Sequence, residues 1–418
     1  MFKTLSNAWR IPELRKKIMF TVVILLIYRL GNAIPVPFVV DDLTDAMAAV
    51  INNSILGLYD MMSGSALSQA TILALGIQPY INSSIIIQLL TVAIPALERM
   101  AKEEGEEGKK KINQITRITT VVLAVILGYG YYTILNANGM IEQSGFWAGL
   151  VIVTTFVAGS CVVMWLGEQI TEHGIGNGIS MILFAGIVSR LPSMIGTLFT
   201  MVWWQIIIVV IGVAALVVFI VFVNDAERRI PIQYAKRVVG RKVYGGQSTN
   251  LPIKVAMSGV MPVIFAQSIC SLPATVCTFA GWTENWAYKN LFSSTSWIYA
   301  IFYGLMIFFF SWFYAQIQYD PVEISNNLKK NGGFIPGFRP GKPTGDFIKK
   351  VIGKIVIFGA VYLAVVALLP IVAGNVMPSV QSLAIGGTSV IIVVGVALET
   401  VKAVEAQMLM RHYKGFLD

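Results

Sequence analysis

Residues 71–97 read TILALGIQPYINSSIIIQLLTVAIPAL. About 20 apolar residues, rising 1.5 Å each, cross the roughly 30 Å core of a bilayer, so the run is long enough to span one. It is unlike an ordinary span. Gly76, Pro79 and Pro95 weaken a regular helix, since proline lacks a donor and collides with the preceding turn. Asn82, Ser83, Ser84 and Gln88 carry polar groups to membrane depth, where each needs a partner or water. Ile77, Ile81, Ile85 and Ile86 fall at helical spacing and form a β-branched stripe beside the polar one. Such a helix is either a buried bundle member, held by interhelical Asn and Ser contacts, or one wall of a passage.

The rest of the chain is membrane protein. Hydrophobic residues are 56% of its 418 residues and charged residues 13%, against about 25% charged in soluble domains. Mean hydropathy is +0.71. Ten spans are expected, near 18–36, 72–95, 113–136, 147–169, 179–196, 202–223, 255–280, 297–318, 351–373 and 379–400. Arg190 and Pro192 interrupt the fifth. The basic stretch Arg10 to Lys17 precedes an apolar run, but Pro35-Val36-Pro37 stands where a small-residue cleavage site would be, so the first segment is expected to stay as a span.

Charge orients the spans. Of the 31 Lys and Arg, only Arg29, Arg190 and Lys289 lie outside one alternating set of loops and tails. The positive-inside rule puts that set, with both termini, in the cytoplasm. The net charge of +9 is then a cytoplasmic-face property suited to topology, anionic lipid or an acidic partner. Five spans fall in 1–197 and five in 198–418. Halves sharing one fold would therefore be inverted, as in many transport proteins.

The segment 38–71, on the opposite side, holds Asp41, Asp42, Asp45 and Asp60 and then a short stretch too small to span. Ile55, Leu58, Met61, Met62 and Leu67 give it an apolar face, while Gly57 and Gly64 loosen it. It either lies on the surface or folds back into the protein, where irregular backbone is tolerated only amid protein or water. Two cytoplasmic loops mix Arg with aromatic and aliphatic residues, a composition common at contacts. RRIPIQY and RKVY read as short strands, with Gly240 as a turn. NNLKKNGGFIPGFRPGKPTGDF reads as a structured projecting loop with Arg339 near its tip.

Familiar chemistry is missing. GIGNG at 174–178 has no preceding strand, and FRPGKPT lacks the first glycine of a phosphate loop. Cys161, Cys270 and Cys277 sit in apolar runs without metal spacing, and His173 and His412 are far apart. Span middles carry no acidic, histidine or lysine side chain of the sort ion-coupled transporters use. No catalytic residue, metal or cofactor is expected, and a passive conduit fits better than a small-solute transporter.

GIQPYINSSIIIQLLT, ITEHGIGNGIS, RRIPIQYAKRVVGRKVYGGQSTNLPIKV, MSGVMPVIFAQSI, FIPGFRPGKPT and GGTS, in this order along nearly the whole chain, resemble the SecY family of protein-conducting channels. The resemblance implies an all-α membrane protein of ten transmembrane helices in two pseudo-symmetric inverted halves around an hourglass pore. A pore ring would comprise Ile77, Ile81, Leu183, Ile264 and Ile391 or Ile392, with Leu183 where isoleucine is common. A plug would occupy 55–70, including Leu58, Met61, Met62, Gly64 and Leu67. Spans two and seven would form a lateral gate, Asn82, Ile85 and Gln88 facing Gln267 and Ser268. Lys236, Arg237, Arg241 and Arg339 would dock a SecA motor or a ribosome. SecE and SecG subunits, preprotein or nascent substrates with signal sequences, and lipids of the plasma membrane would complete the surroundings.

Overall fold

A computed structural model describes residues 8–40, 56–142, 145–234, 237–239, 242–244, 248–256, 259–279, 282, 286, 288–292, 296–376 and 387–414. In chain order its elements are α1 (Pro12–Gly31), α2 (Leu56–Ser63), α3 (Gln78–Ala93), α4 (Pro95–Lys102), α5 (Gly105–Ala137), α6 (Phe146–His173), α7 (Gly178–Ser189), α8 (Leu191–Phe199), α9 (Trp203–Asp225), β1 (Glu227–Tyr234), β2 (Arg237–Val239), β3 (Lys242–Tyr244), β4 (Ser248–Lys254), α10 (Met261–Phe279), α11 (Trp297–Gln318), α12 (Pro321–Lys330), β5 (Gly333–Phe334), α13 (Lys342–Val376) and α14 (Gly387–Lys414). Among the described residues, seven helical stretches are long and apolar enough to cross a membrane, and eight if the bent α3–α4 pair is counted. α1 and α14 stand where the first and last spans are expected. Arg15, Lys16, Lys17 and Arg29 place several charges within α1, and Glu399, Lys402 and Glu405 within α14.

Several boundaries move for local reasons. α1 starts at Pro12, whose missing N–H costs nothing in a first turn, and stops at Gly31, five residues before the expected end. Pro79 does not break the second span but begins it. Residues 72–77 are turns, with Gly76 at φ +53°, and α3 starts at Gln78. Pro95 opens α4 after a 106° bend. Span five is two helices meeting at Arg190. β4 occupies Ser248–Lys254, so α10 begins only at Met261. The projecting-loop expectation holds only in part. NNLKK closes α12, which Asp320 caps by accepting from the Val322 and Glu323 N–H groups, and α13 starts at Lys342, well before residue 351.

The central apolar cluster joins α1, α2, α3, α6, α7, α9, α10, α11, α13 and α14. Lipid-suited side chains face out, most fully on α9, where Ile211, Val218 and Phe222 are exposed. At the basic end, β1 pairs antiparallel with β4 and with β5, with Ile230 opposite Leu251 and Gln233 opposite Phe334. Along β1, Ile230 and Ile232 are buried while Arg229 and Pro231 are exposed, the alternation of a half-covered strand. Ile230, Ile253, Ile335, Ile348 and Ile352 form a satellite core beneath this sheet. β2 and β3 form a separate hairpin, and its turn at Gly240 lies outside the described residues.

Candidate functional site

The segment after the first span does not lie on the surface. α2 turns into the bundle, and Leu56, Met61, Met62 and Leu67 are all buried. Ile55 and the Leu58 side chain lie outside the described residues. The helix ends at Gly64 and Ser65, with φ of +73° and +70°, a left-handed conformation that glycine adopts at no steric cost. Gly64 is also needed for space. A Cβ there would sit 2.9 Å from the Gly186 carbonyl oxygen, and a Cβ on Gly186 would sit 2.2 Å from the Met62 carbonyl oxygen. The α2 segment and α7 thus touch backbone to backbone.

Polar contacts hold this segment on every side. Tyr28 Oη and Asn32 Nδ2 donate to the Ser63 carbonyl at 3.2 and 2.9 Å. Arg29 Nη1 donates to the Gly64 carbonyl at 3.3 Å and to Ser189 Oγ at 2.9 Å. Arg190 Nη1 lies 3.1 Å from Asp60 Oδ2. The Tyr59 and Ser271 hydroxyls are hydrogen-bonded, and Tyr131 Oη donates to the Leu67 carbonyl. Met62 Sδ accepts from Gln78 Nε2 at 3.1 Å and from Gln267 Nε2 at 3.5 Å, so one sulfur joins α10 to the first residue of α3. Ser389 Oγ of α14 donates to Met61 Sδ at 2.9 Å. Burial pushes the Asp60 carboxyl above the ordinary aspartate value; Arg190, and then the Ser68 and Leu67 groups, oppose that only in part.

Beside this seat lie the expected ring residues. Ile77, Ile81, Leu183, Ile264, Ile391 and Ile392 are each 4% exposed or less and belong to one apolar cluster that also contains Met62. They come from α3 and the turn before it, α7, α10 and α14. The helices that carry the expected gate residues also meet. α3 packs on α10, and Asn82, Ile85, Gln267 and Ser268 are buried, with Gln88 partly so. Asn82 Oδ1, Gln78 Oε1 and Gln267 Oε1 are buried without a hydrogen-bond partner. A buried amide oxygen left unpaired costs about 1–3 kcal/mol.

The docking candidates are at the other end. Arg339 is exposed on a turn between Gly337 (φ +86°) and Gly341 (φ +100°). Stacking of Phe338 on Phe347 (ring centroids 4.2 Å apart), the Thr344 Oγ1 donation to the Arg339 carbonyl at 2.8 Å, and the Ser325 Oγ donation to the Gly341 carbonyl at 2.7 Å pin that turn. Arg237 is placed only by the backbone of β2, and Lys236 and Arg241 lie outside the described residues. Among the described residues, no three His, Cys, Asp or Glu side chains converge on a metal-sized site.

Sequence reading missed Arg29, Gln78, Tyr59, Ser271, Gly186 and the Asp60–Arg190 pair as parts of the seat. A signal was present. Arg29 and Arg190 were two of only three basic residues outside the main basic set of loops and tails, and Asp60 was an acidic residue in the same minority set of loops.

A multi-pass helical bundle with an apolar core and a short inward-turned helix has the architecture of a membrane channel. The SecY family model matches residues 71–401. The chain is 43% identical to the protein translocase subunit SecY of Streptomyces scabiei over 439 residues, covering all of both chains. It is 42% identical to that of Thermotoga maritima over 432 residues, covering all of this chain and 98% of that one. Among solved structures it is similar to a SecY in which the plug domain stabilises the closed state of the translocation channel (TM-score 0.66, 16% identity, 94% of this chain and 92% of that one). It is also similar to Sec61 in the canine ribosome-channel complex (TM-score 0.61, 16% identity, with the same two coverages). The chain belongs to the SecY family. It is accordingly a protein translocase channel subunit and not an enzyme.

Proposed function

We propose that unfolded polypeptides pass through this chain at the Ile77, Ile81, Leu183, Ile264, Ile391 and Ile392 constriction, with α2 as its removable stopper. The observation that carries the reading is the position of Met62. It lies in the same apolar cluster as the ring and accepts hydrogen bonds from Gln78 and Gln267. An aliphatic ring offers water and ions no hydrogen bonds, and such constrictions can gate by dewetting. It also selects no particular side chain, which a conduit for many sequences requires.

The α3–α10 contact is the lateral gate in this reading. Interhelical hydrogen bonds in membranes average below about 1 kcal/mol, and the amide oxygens here have no partner to lose. An apolar signal helix entering the cleft gains several kcal/mol at about 25 cal/mol per Å² of buried apolar surface. A differential of about that size is enough to move a two-state gate. Halves 1–197 and 198–418 swing apart around the pore. The basic end faces the cytoplasm of a plasma membrane with both termini, and Lys236, Arg237, Arg241 and Arg339 meet a SecA motor or a ribosome. SecE and SecG are the companion subunits. The similarity to a ribosome-bound channel supports the ribosome as one partner.

Deleting residues 57–67 in the reconstituted complex and recording ion conductance tests the stopper. Persistent currents are expected, with preprotein import retained. A silent bilayer refutes it.

A further inference from the structure

Asp60 and Arg190 make the least usual contact in the seat. Asp60 is 3% exposed and points its two carboxylate oxygens different ways. Oδ1 accepts from the Ser68 backbone N–H at 2.7 Å, which closes the turn after α2, and Oδ2 meets Arg190 Nη1 at 3.1 Å. Arg190 sits at the break between α7 and α8, with its side chain 24% exposed. The nearby Arg29 is committed to Gly64 and Ser189. A carboxylate carried into the bundle by a movable helix is costly unless paired, and a buried pair often only repays its own desolvation. Its partner is less deeply buried and has less to lose.

We infer that Arg190 is a positioning residue for the stopper: it compensates the buried Asp60 charge when α2 is seated, and does not act as a latch whose attraction holds α2 in place. The inference rests on the reading of α2 as the pore's stopper. The upward displacement of the Asp60 carboxyl agrees with it, because net attraction from Arg190 would have displaced the carboxyl downward.

Compensation and latching predict different mutational patterns. The reconstituted complex carrying Arg190→Gln, Asp60→Asn, both substitutions, or Arg190→Lys is compared by potassium leak from proteoliposomes, with preprotein import as the check on assembly. Compensation makes Arg190→Gln leak at least about tenfold more than the parent, since it strands a buried charge. Asp60→Asn leaks less than about threefold more, because the amide oxygen still accepts from Ser68. The double variant returns to the Asp60→Asn level, and Arg190→Lys stays sealed. Equal leaks in both single variants with no rescue in the double overturn the inference, as does a sealed Arg190→Gln. If Arg190→Gln fails to assemble, Asp60→Asn and the double variant decide: both sealed supports compensation, and a leaky Asp60→Asn overturns it. The 57–67 deletion is run alongside. A leaking deletion with a sealed Arg190→Gln sinks this inference alone, whereas a silent deletion sinks the stopper reading.

Discussion

Gly186→Ala is the sharpest perturbation of the seated stopper. The added methyl would stand 2.2 Å from the Met62 carbonyl oxygen and 3.2 Å from its carbon, where ordinary contact begins at 3.4 Å. The obstructing atoms are backbone on both sides, so no side chain can swing away. α2 and α7 must separate by roughly 1 Å, in a region packed like a crystal interior. Forcing one extra methyl into such packing costs about 1–3 kcal/mol. Because unseated α2 meets no such clash, the whole penalty falls on the closed state. At about 1.4 kcal/mol per tenfold, the ratio of unseated to seated stopper rises roughly 5- to 150-fold. Potassium leak from proteoliposomes should rise in proportion while unseated channels remain a minority. Gly212→Ala on α9 is the control, since a Cβ there meets nothing within 4 Å. A Gly186→Ala channel that leaks no more than the Gly212→Ala channel refutes the backbone contact between α2 and α7.

Other consequences follow from the same contacts. Gln267→Leu removes a buried amide oxygen that has no partner, at the cost of one long donation to Met62 Sδ (3.5 Å), so on balance it should strengthen α3–α10 closure and lower import of preproteins with weakly apolar signals more than of those with strongly apolar ones; equal loss for both would contradict it. Arg339→Glu should weaken binding of the motor or ribosome about tenfold or more, by replacing attraction with repulsion on a pinned turn, and should leave ion leak unchanged. Acid should reseal Arg190→Gln. The seated Asp60 carboxyl already lies above its ordinary value and loses its opposing cation in that variant. Seating therefore takes up a proton, and leak should fall as pH drops from neutral towards that raised value. The charged or titratable groups about it are Arg190, Arg29, Tyr28, Tyr59 and Tyr131.

The ten helices were legible because apolar run length and loop charge are local signals. The stripe of Ile77, Ile81 and Ile85 beside Asn82 and Gln88 already marked α3 as a helix without a plain lipid face. Its start was less legible: Pro79 reads equally as a breaker or as a first-turn residue, and only the turns around Gly76 decide. NNLKK looked like loop because of its Asn and Gly neighbours, whereas the Asp320 cap and α13 packing stabilise a helix there. The seat was illegible because its partners are remote in sequence. Tyr59 and Ser271 are 212 residues apart, and Asp60 and Arg190 are 130 apart. Gly186 lies within an apolar run where its need for close backbone approach leaves no pattern.

Crosslinking to a halted substrate tests the central claim most directly. Photoreactive side chains at Ile81 and Ile264, with Ile211 on the exposed face of α9 as the control, are placed in the complex while a preprotein is arrested midway. The account predicts adducts from both ring positions to the arrested chain, none from Ile211, and none from any position without substrate. Adducts from Ile211 with none from Ile81 or Ile264 would place the polypeptide outside the ring and contradict the account.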